Sequence, residues 1–252
     1  MSGHSKWSTI KRAKGAADAK RGLTFTKVGN AITIAAKIGS SGDPESNPRL
    51  RMALEEARSV NMPKENIQRA IDRGLGKLPG QTLEEAVYEG FGPSKVAFLV
   101  EVVTDNKLRT LAEMKNLFDR SGGGLGGNGS TSYMFKKVGE IKIASKSDRR
   151  EEEILEIIDG GVEDVEELTE NEKVKYLVYA DPASYPHVLN YLRAKQFIVE
   201  FSEIIMKPNV LIQITDKDTA ERVLSFIDRL QEQDDVQKVY ANFDIPDNLM
   251  YK

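Results

Sequence analysis

The chain has 252 residues, of which 40% are hydrophobic and 30% are charged, and it contains no cysteine. This composition is typical of a folded protein of two or three domains; it excludes disulfides, thiolate catalysis and cysteine-ligated zinc, and it favours a reducing compartment. The net charge of −3 hides a division between a basic head, residues 1–78 with 15 Lys and Arg against 7 Asp and Glu, and an acidic body, residues 79–252 with 21 against 32.

The basic head is predicted to form short helices. Ser8 can cap an Ala-rich first helix that extends to about Ala19, because its hydroxyl can accept a hydrogen bond from the backbone of the first turn. Gly22 is expected to end this segment, and apolar residues at helical spacing predict a second helix over 24–38. Since the head has few large apolar side chains, the bundle is expected to be only marginally stable.

Turn-forming residues define the rest of the head. SSGDPESNP at 40–48 is predicted to be a loop, and Asn47 with Pro48 provides a cap and a first-turn proline for a third helix. Asn61 and Pro63 are expected to open a fourth helix, which Gly74 ends. The residues that follow, 74–82, are predicted to be a linker.

The acidic body alternates between strand and helix patterns. Residues 137–203 follow the order β-α-β-β-α-β, which is typical of a ferredoxin-like sandwich. Elements on either side would form a second such unit if they paired. These are a strand at 96–104, a helix with Leu111, Met114 and Phe118 inward, a strand at 131–135, strands within 204–215, a helix with Val223 and Leu230 inward, and a strand at 236–243.

The sequence therefore predicts an α+β protein: a small N-terminal helical bundle followed by two ferredoxin-like α/β sandwich domains, one inserted in the other. The domains are expected at 1–78, at 79–136 together with 204–252, and at 137–203. The order of the elements supports the insertion, and the pairing of the outer strands is an inference from that order.

A glycine-rich segment, GLGGNG at 124–129, matches the spacing of the dinucleotide-binding fingerprint. That fingerprint needs a strand before it and a helix after it, so that the helix N-terminus meets the pyrophosphate. Here a helix precedes and a strand follows, and no Lys precedes Ser130 as a P-loop requires. The segment is interpreted as a flexible surface turn, or as a loop that approaches a partner's backbone closely.

Catalytic and metal-binding groups are sparse. The two histidines, His4 and His187, have no catalytic-triad or metal-ligand spacing around them. The acidic runs Glu151–Glu153 and Glu163–Glu167 are interpreted as solvated faces, although a carboxylate-based enzyme or a cation site stays open. We expect no cofactor, no small-molecule substrate and no membrane span, because no run approaches the ~18 apolar residues that a span needs.

The basic residues of the head are the most informative group. Seven of the fifteen lie in a segment of 22 residues, 6–27, that contains one acid, Asp18. Trp7 beside Lys6 offers a stacking surface next to a phosphate contact. The alternative is that they are solubilising charges, with Glu65 and Arg69 forming a helical ion pair. The candidate nucleic-acid-binding residues are Lys6, Trp7, Lys11, Arg12, Lys14, Lys20, Arg21, Lys27, Arg49, Arg51 and Lys64. No recognition-helix signature indicates sequence-specific reading of a groove.

Residues 1–17 contain four cations, several small or hydroxyl residues and no acid, so composition alone also fits an organellar presequence. Longer motifs help to decide whether residues 1–17 are a presequence or part of the mature chain. They are GHSKW at 3–7, DAKRG at 18–22, NPRLR at 47–51, NMPKENIQRAI at 61–71, YEGFGP at 88–93, the span 104–135, and VQKVYANFDIP at 236–246.

Together these motifs resemble the YebC/PmpR family of probable transcriptional regulatory proteins, over nearly the whole chain. The resemblance implies three domains with a helical one first, a non-enzymatic role, and a bacterial, cytoplasmic protein in which residues 1–17 belong to the mature chain. Positions that match the motifs and are implied as contacts are Lys6, Trp7, Lys20, Arg21, Arg49, Arg51, Met62 and Lys64.

Two partners fit the resemblance and the charge division, since both are polyanions. The first hypothesis is a transcriptional regulator that holds DNA through the basic head. The alternative is a ribosome-associated translation factor whose head contacts ribosomal RNA. The charge pattern does not separate the two, and the oligomeric state is left open.

Overall fold

The computed structural model describes residues 18–80, 82–170, 173–246 and 249, with side chains described from Gly22 onward. Seven α-helices lie within these residues: α1 Asp18–Gly39, α2 Pro48–Ser59, α3 Lys64–Gly74, α4 Lys107–Arg120, α5 Arg150–Ile158, α6 Tyr185–Ala194 and α7 Lys217–Gln231. The strands of the described residues are β1 Glu84–Phe91, β2 Ala97–Thr104, β3 Gly124–Leu125, β4 Phe135–Ala144, β5 Asp164–Glu170, β6 Lys173–Ala180, β7 Ile198–Pro208, β8 Ile212–Gln213, β9 Val236–Ala241 and β10 Phe243–Asp244.

Helices α1 to α3 form the described part of the head. Asn47 caps α2 as predicted: its Oδ1 accepts from the Leu50 amide at 3.1 Å, and its Nδ2 donates to the Ala35 carbonyl of α1 at 2.9 Å. Helix α3 ends at Gly74, also as predicted. A Cβ at Gly74 would lie 2.3 Å from the Thr33 carbonyl oxygen, so only glycine allows α1 and α3 to approach this closely.

The predicted interruption at Gly22 is wrong, because α1 is continuous from Asp18 to Gly39. A glycine inside a helix costs only about 1 kcal/mol. The buried stripe of α1, which includes Val28 and Ile32, packs against α2 and α3 and outweighs that cost. The predicted helix from Ser8 lies outside the described residues.

The first sheet has the order β3-β1-β2-β9, with antiparallel neighbours throughout. Helices α4 and α7 cover one face, where the rings of Phe98, Phe118 and Phe226 meet edge to face at 5.0–6.2 Å. The strands are arranged as in a ferredoxin-like sheet, with one difference. Strand β1 takes the place of the strand that comes third along the chain in that fold, but here it comes first. The elements on either side of the inserted unit therefore share one sheet, as expected. That sheet also contains strand β1, which the sequence did not predict.

Two local predictions for this sheet are wrong. Residues 132–134 form a 3₁₀ turn instead of the predicted strand, and the edge position is taken by β3 in the glycine segment. Leu111 of α4 is exposed, and Thr110 is buried instead, because its hydroxyl bonds Thr104 Oγ1 at 2.8 Å and Asp235 Oδ2 at 2.6 Å.

The second sheet has the order β5-β6-β4-β7 and, with α5 and α6, forms the predicted ferredoxin-like unit. Its long strands β4 and β7 pair from Phe135↔Pro208 to Ala144↔Ile198. Residues 204–208 thus belong to this sheet, and only β8, which pairs with β10, remains of the strands predicted within 204–215. The proposed domain limits at 136/137 and 203/204 lie inside the paired strands, and the division stays a prediction.

Apolar contacts join the three parts of the chain. Ile34 on α1 packs with Leu83 and Val103 of the first sheet, which docks the head on the body. On the outer face of the same sheet, Leu99 and Tyr240 pack with Phe135 at the start of β4.

Candidate nucleic-acid interface

The candidate residues of the head fall into three groups, according to how much of each residue the structure describes. Lys6, Trp7, Lys11, Arg12 and Lys14 lie outside the described residues. Lys20 and Arg21 lie in the first turn of α1, and only their backbone is described. The side chains of Lys27, Arg49, Arg51 and Lys64 are described.

Lys27 makes a contact between head and body. Its Nζ donates to the Gln231 carbonyl at the end of α7, at 2.6 Å. A helix C-terminus carries partial negative charge and unsatisfied carbonyls, so an ammonium group there is stabilising. The predicted phosphate contact is thus occupied here by a backbone carbonyl of the body.

Arg49 and Lys37 make a second contact between head and body. Arg49 forms an ion pair with Glu85 at the start of β1, and both side chains are about half exposed. Lys37 Nζ donates to the Leu83 carbonyl at 2.8 Å. Because an exposed ion pair contributes at most about 1 kcal/mol, the buried contact of Ile34 supplies more of the docking energy.

Arg51 holds the loop in front of α2. Its Nε and Nη2 donate to the carbonyls of Pro44 and Glu45, each at 3.1 Å. These acceptors are neutral, so the positive charge of Arg51 is fixed in position without being neutralised. Met62, implied as a contact by the resemblance, is buried in the core of the head.

Lys64 belongs to a group of exposed cations on one end of α2 and along α3. Arg69 and Arg73 lie one turn apart on α3, opposite the buried Ala70 and Ile71. Within the described part of the chain, none of Arg58, Lys64, Arg69 and Arg73 makes a side-chain hydrogen bond or ion pair, and the expected Glu65–Arg69 pair is not formed. These four side chains are the cations of the described head that are most available to an anion.

The glycine segment is hydrogen-bonded to a buried carboxylate, although residues 126–129 are exposed. Glu89 of β1 is buried, and its carboxylate accepts from the backbone amides of Gly129, Thr131 and Ser132, each at 2.8 Å. Burial opposes ionisation of Glu89, but these hydrogen bonds outweigh it and hold its pKa below the ordinary value. The amides that could have bound a phosphate already bind a carboxylate of the same chain.

The close backbone approach that the structure shows is to the chain's own strand β1, whereas the approach to a partner's backbone stays a prediction. Residues 124–125 pair with β1 as β3. A Cβ on Gly123 would lie 2.0 Å from the Phe91 carbonyl oxygen, so this position requires glycine. The sequence holds one signal for this contact. Glu89 is an acid within a strand, and the glycine-rich segment opposite it offers backbone amides as donors.

One acidic run was also misinterpreted. Glu153 is buried, not solvated, and it accepts from Tyr176 Oη at 2.9 Å, Ser145 Oγ at 2.7 Å and the Lys146 amide at 2.9 Å. Burial and the bond to Glu153 raise the pKa of Tyr176 to about 12. This group is internal and structural, since Glu153 and Tyr176 are both closed off from solvent.

The described residues contain no group of three or more His, Asp or Glu that could hold a metal ion. His187 is exposed on α6, beside Pro186, and His4 lies outside the described residues. Across the described ranges, no helix combines the length and apolar character needed to cross a membrane.

Two family models match the chain. Residues 5–77 match the family model for the TACO1/YebC protein N-terminal domain, and residues 83–243 match the model for the TACO1/YebC second and third domain. The chain belongs to the TACO1/YebC family.

Relatives within the TACO1/YebC family are similar over their full length. A protein of Treponema pallidum is 49% identical over 251 residues, covering 99% of this chain and 100% of the relative. One of Syntrophomonas wolfei is 42% identical over 252 residues, covering 99% of each. Both are named probable transcriptional regulatory protein, so the relatives carry the names of regulators, not of enzymes.

A solved structure supports the fold. The crystal structure of a conserved hypothetical protein from Aquifex aeolicus matches with a TM-score of 0.81 and 40% sequence identity, covering 93% of this chain and 95% of that one. The multi-domain α+β fold predicted from the sequence is thereby confirmed.

Proposed function

We propose that this protein is a non-enzymatic, DNA-binding transcriptional regulator that acts in the cytoplasm and contacts the DNA backbone through its basic head. The observation that carries this proposal is a group of cations that have no partner among the described residues and that belong to the same head as the strongly basic N-terminal segment. They are Arg58, Lys64, Arg69 and Arg73. The names of the relatives support a regulatory role.

Backbone contacts of this kind set affinity and register without reading bases. Arg69 and Arg73 project from one face of a helix whose opposite face is fixed in the core, so their charges are held in place before DNA arrives. The body carries a net charge of −11, so the head is the part of the molecule with the net charge that attracts the duplex.

Salt dependence tests the proposal. Affinity for a fluorescently labelled duplex, measured by anisotropy between 50 and 200 mM salt, should fall by roughly a thousandfold if six phosphates are contacted. Replacing Lys11, Lys14, Lys20 and Arg21 together by Ala should weaken binding and reduce the slope. A salt-independent affinity would contradict backbone binding.

The same preparation should be compared on a promoter duplex, a random duplex and purified ribosomes. A regulator of transcription should prefer promoter over random duplex. Co-sedimentation with ribosomes without duplex binding would overturn the proposal in favour of a translation factor that contacts ribosomal RNA.

A further inference from the structure

A groove lies on the first sheet's helical side, between the end of α4 and the exposed face of α7. Its volume is about 690 Å³, and the polar side chains that line it include Arg120, Asp218, Glu221, Arg222, Ser225 and Arg229. Three guanidinium groups thus converge on one groove in a body that is otherwise strongly acidic.

Helix α7 arranges these side chains in a row. Asp218, Arg222, Ser225 and Arg229 follow one another at spacings of four, three and four residues, so they share one face. At 1.5 Å per residue, Arg222 and Arg229 lie about 10 Å apart along the axis. Measured along the duplex axis, that length corresponds to a rise of about three nucleotides of one DNA strand.

The two carboxylates of the groove have partners of their own. Asp218 lies in the first turn of α7, where the helix N-terminus compensates its charge. Glu221 pairs with Lys217 at 3.6 Å. The positive charge of the groove is therefore not cancelled by its acids.

Arg120 and Arg229 are the arginines of the groove most available to an anion, since the positive charge of Arg222 also interacts with the Asp216 carboxylate. Arg222 is held in place by bonds to the Asp218 carbonyl at 3.4 Å and to Thr219 Oγ1 at 3.1 Å, neither of which is charged. Arg120 and Arg229 are exposed, and neither side chain makes a hydrogen bond or ion pair with any residue that the structure describes. Their planar donor forks match phosphate oxygens.

The row on α7 ends close to a contact with the head. The row on α7 runs toward Gln231, only two residues beyond Arg229, and the Gln231 carbonyl accepts from Lys27 of α1. Lys20 and Arg21 lie about 10 Å from Lys27 toward the start of α1. The C-terminal end of the row on α7 therefore lies within one helical turn of a contact between head and body.

We propose that this groove is a second phosphodiester-binding site, so that a duplex held by the head extends along α7 over Arg229, Arg222 and Arg120. This inference rests on the proposed function. It places part of the nucleic-acid contact on the body, where neither net charge nor sequence motifs indicated one.

The full-length double variant Arg120→Gln/Arg229→Gln tests the site. Arg193→Gln/Lys173→Gln is the matched control, since it removes the same charge from exposed positions on the second sheet's unit. Because the double variant removes two cations that bind phosphates, the logarithmic salt slope for duplex binding should shrink by roughly 2, and affinity at 100 mM salt should fall by about tenfold or more. The control should stay within about twofold of the wild type.

Ser225→Glu provides a second variant, because it places a carboxylate in the middle of the groove at an exposed position. It should also weaken duplex binding, with an unfolding midpoint close to that of the wild type. If the wild type binds and both groove variants behave like the control, the groove assignment is overturned while the proposed function stands. A wild type that binds no duplex at any salt concentration overturns both.

Discussion

Glu89 is a buried carboxylate that organises the glycine segment. Three backbone amides converge on it, and Thr131 adds a bond to the Phe98 carbonyl at 2.9 Å. In many proteins such a cluster of amides at a glycine-rich loop binds a phosphate. Here the anion is supplied by the neighbouring strand, so the loop is fixed in the absence of any ligand.

Glu89→Gln should lower the free energy of unfolding by about 3 kcal/mol, because its amide NH₂ would face backbone donors and leave them unsatisfied. Glu152→Gln, an exposed acid on α5, should change it by less than about 0.5 kcal/mol. Urea unfolding at pH 7 measures the difference. Equal stabilities of the two variants would contradict a structural role for Glu89.

The same carboxylate predicts a pH dependence. Since the folded protein lowers the pKa of Glu89, its stabilisation is complete above the ordinary value of 4.5 and is lost as pH falls through the folded value. Wild type should therefore lose more stability than Glu89→Gln between pH 6 and pH 3. Parallel decreases in the two proteins would assign the acid sensitivity to other carboxylates.

Cations in the head divide into those that bind protein and those that do not, and this predicts opposite phenotypes. Lys27→Gln should lower stability by about 1 kcal/mol and leave the salt slope of duplex binding unchanged. Arg69→Gln/Arg73→Gln should leave stability within about 0.5 kcal/mol and reduce that slope by roughly 2. Each variant serves as the control for the other, and the same phenotype from both would refute the division.

Helix α1 is an element with two buried faces. One face, including Val28 and Ile32, packs on α2 and α3, while Ile34 packs on the first sheet. Thr33 adds a bond to the Ala70 carbonyl at 3.1 Å. Because α1 packs on the head with one face and on the first sheet with the other, it fixes the orientation of the head relative to the body. An ion pair or a linker could not do this.

Ile34→Ala should destabilise the protein by about 2–4 kcal/mol, because the side chain is only 2% exposed between Leu83 and Val103. Ile38→Ala, one turn later on the same helix and 58% exposed, should cost less than about 0.5 kcal/mol. Thermal unfolding followed by circular dichroism compares the two. A similar loss in both would mean that the head does not dock through Ile34.

At the scale of the whole molecule, the features that follow from local physics were predictable from the sequence. The Asn47 cap, the end of α3 at Gly74 and the β-α-β-β-α-β order each depend on residues close together in the chain. The division of charge between head and body also needed only counting.

Features set by contacts between distant residues were not predictable. Strand β1, with the sequence EEAVYEGF, is polar on its outer face and contains a glycine, so its strand pattern is weak, yet it pairs with both β2 and β3. Helix α1 passes through Gly22 because packing overrides propensity. The groove of Arg120 and Arg229 joins residues more than a hundred positions apart, and only the fold brings them together.

The paired strands β4 and β7 also bear on how the chain reaches this structure. Strands β2 and β9, which are neighbours in the first sheet, meet at positions about 140 residues apart in the chain. Once Phe135 has met Pro208, about 70 of those residues are bypassed. Halving the open loop lowers the entropic cost of closing it by about 0.6 kcal/mol. Pairing within the inserted unit therefore shortens the loop between β2 and β9, so these two strands of the first sheet can meet at a lower entropic cost during folding.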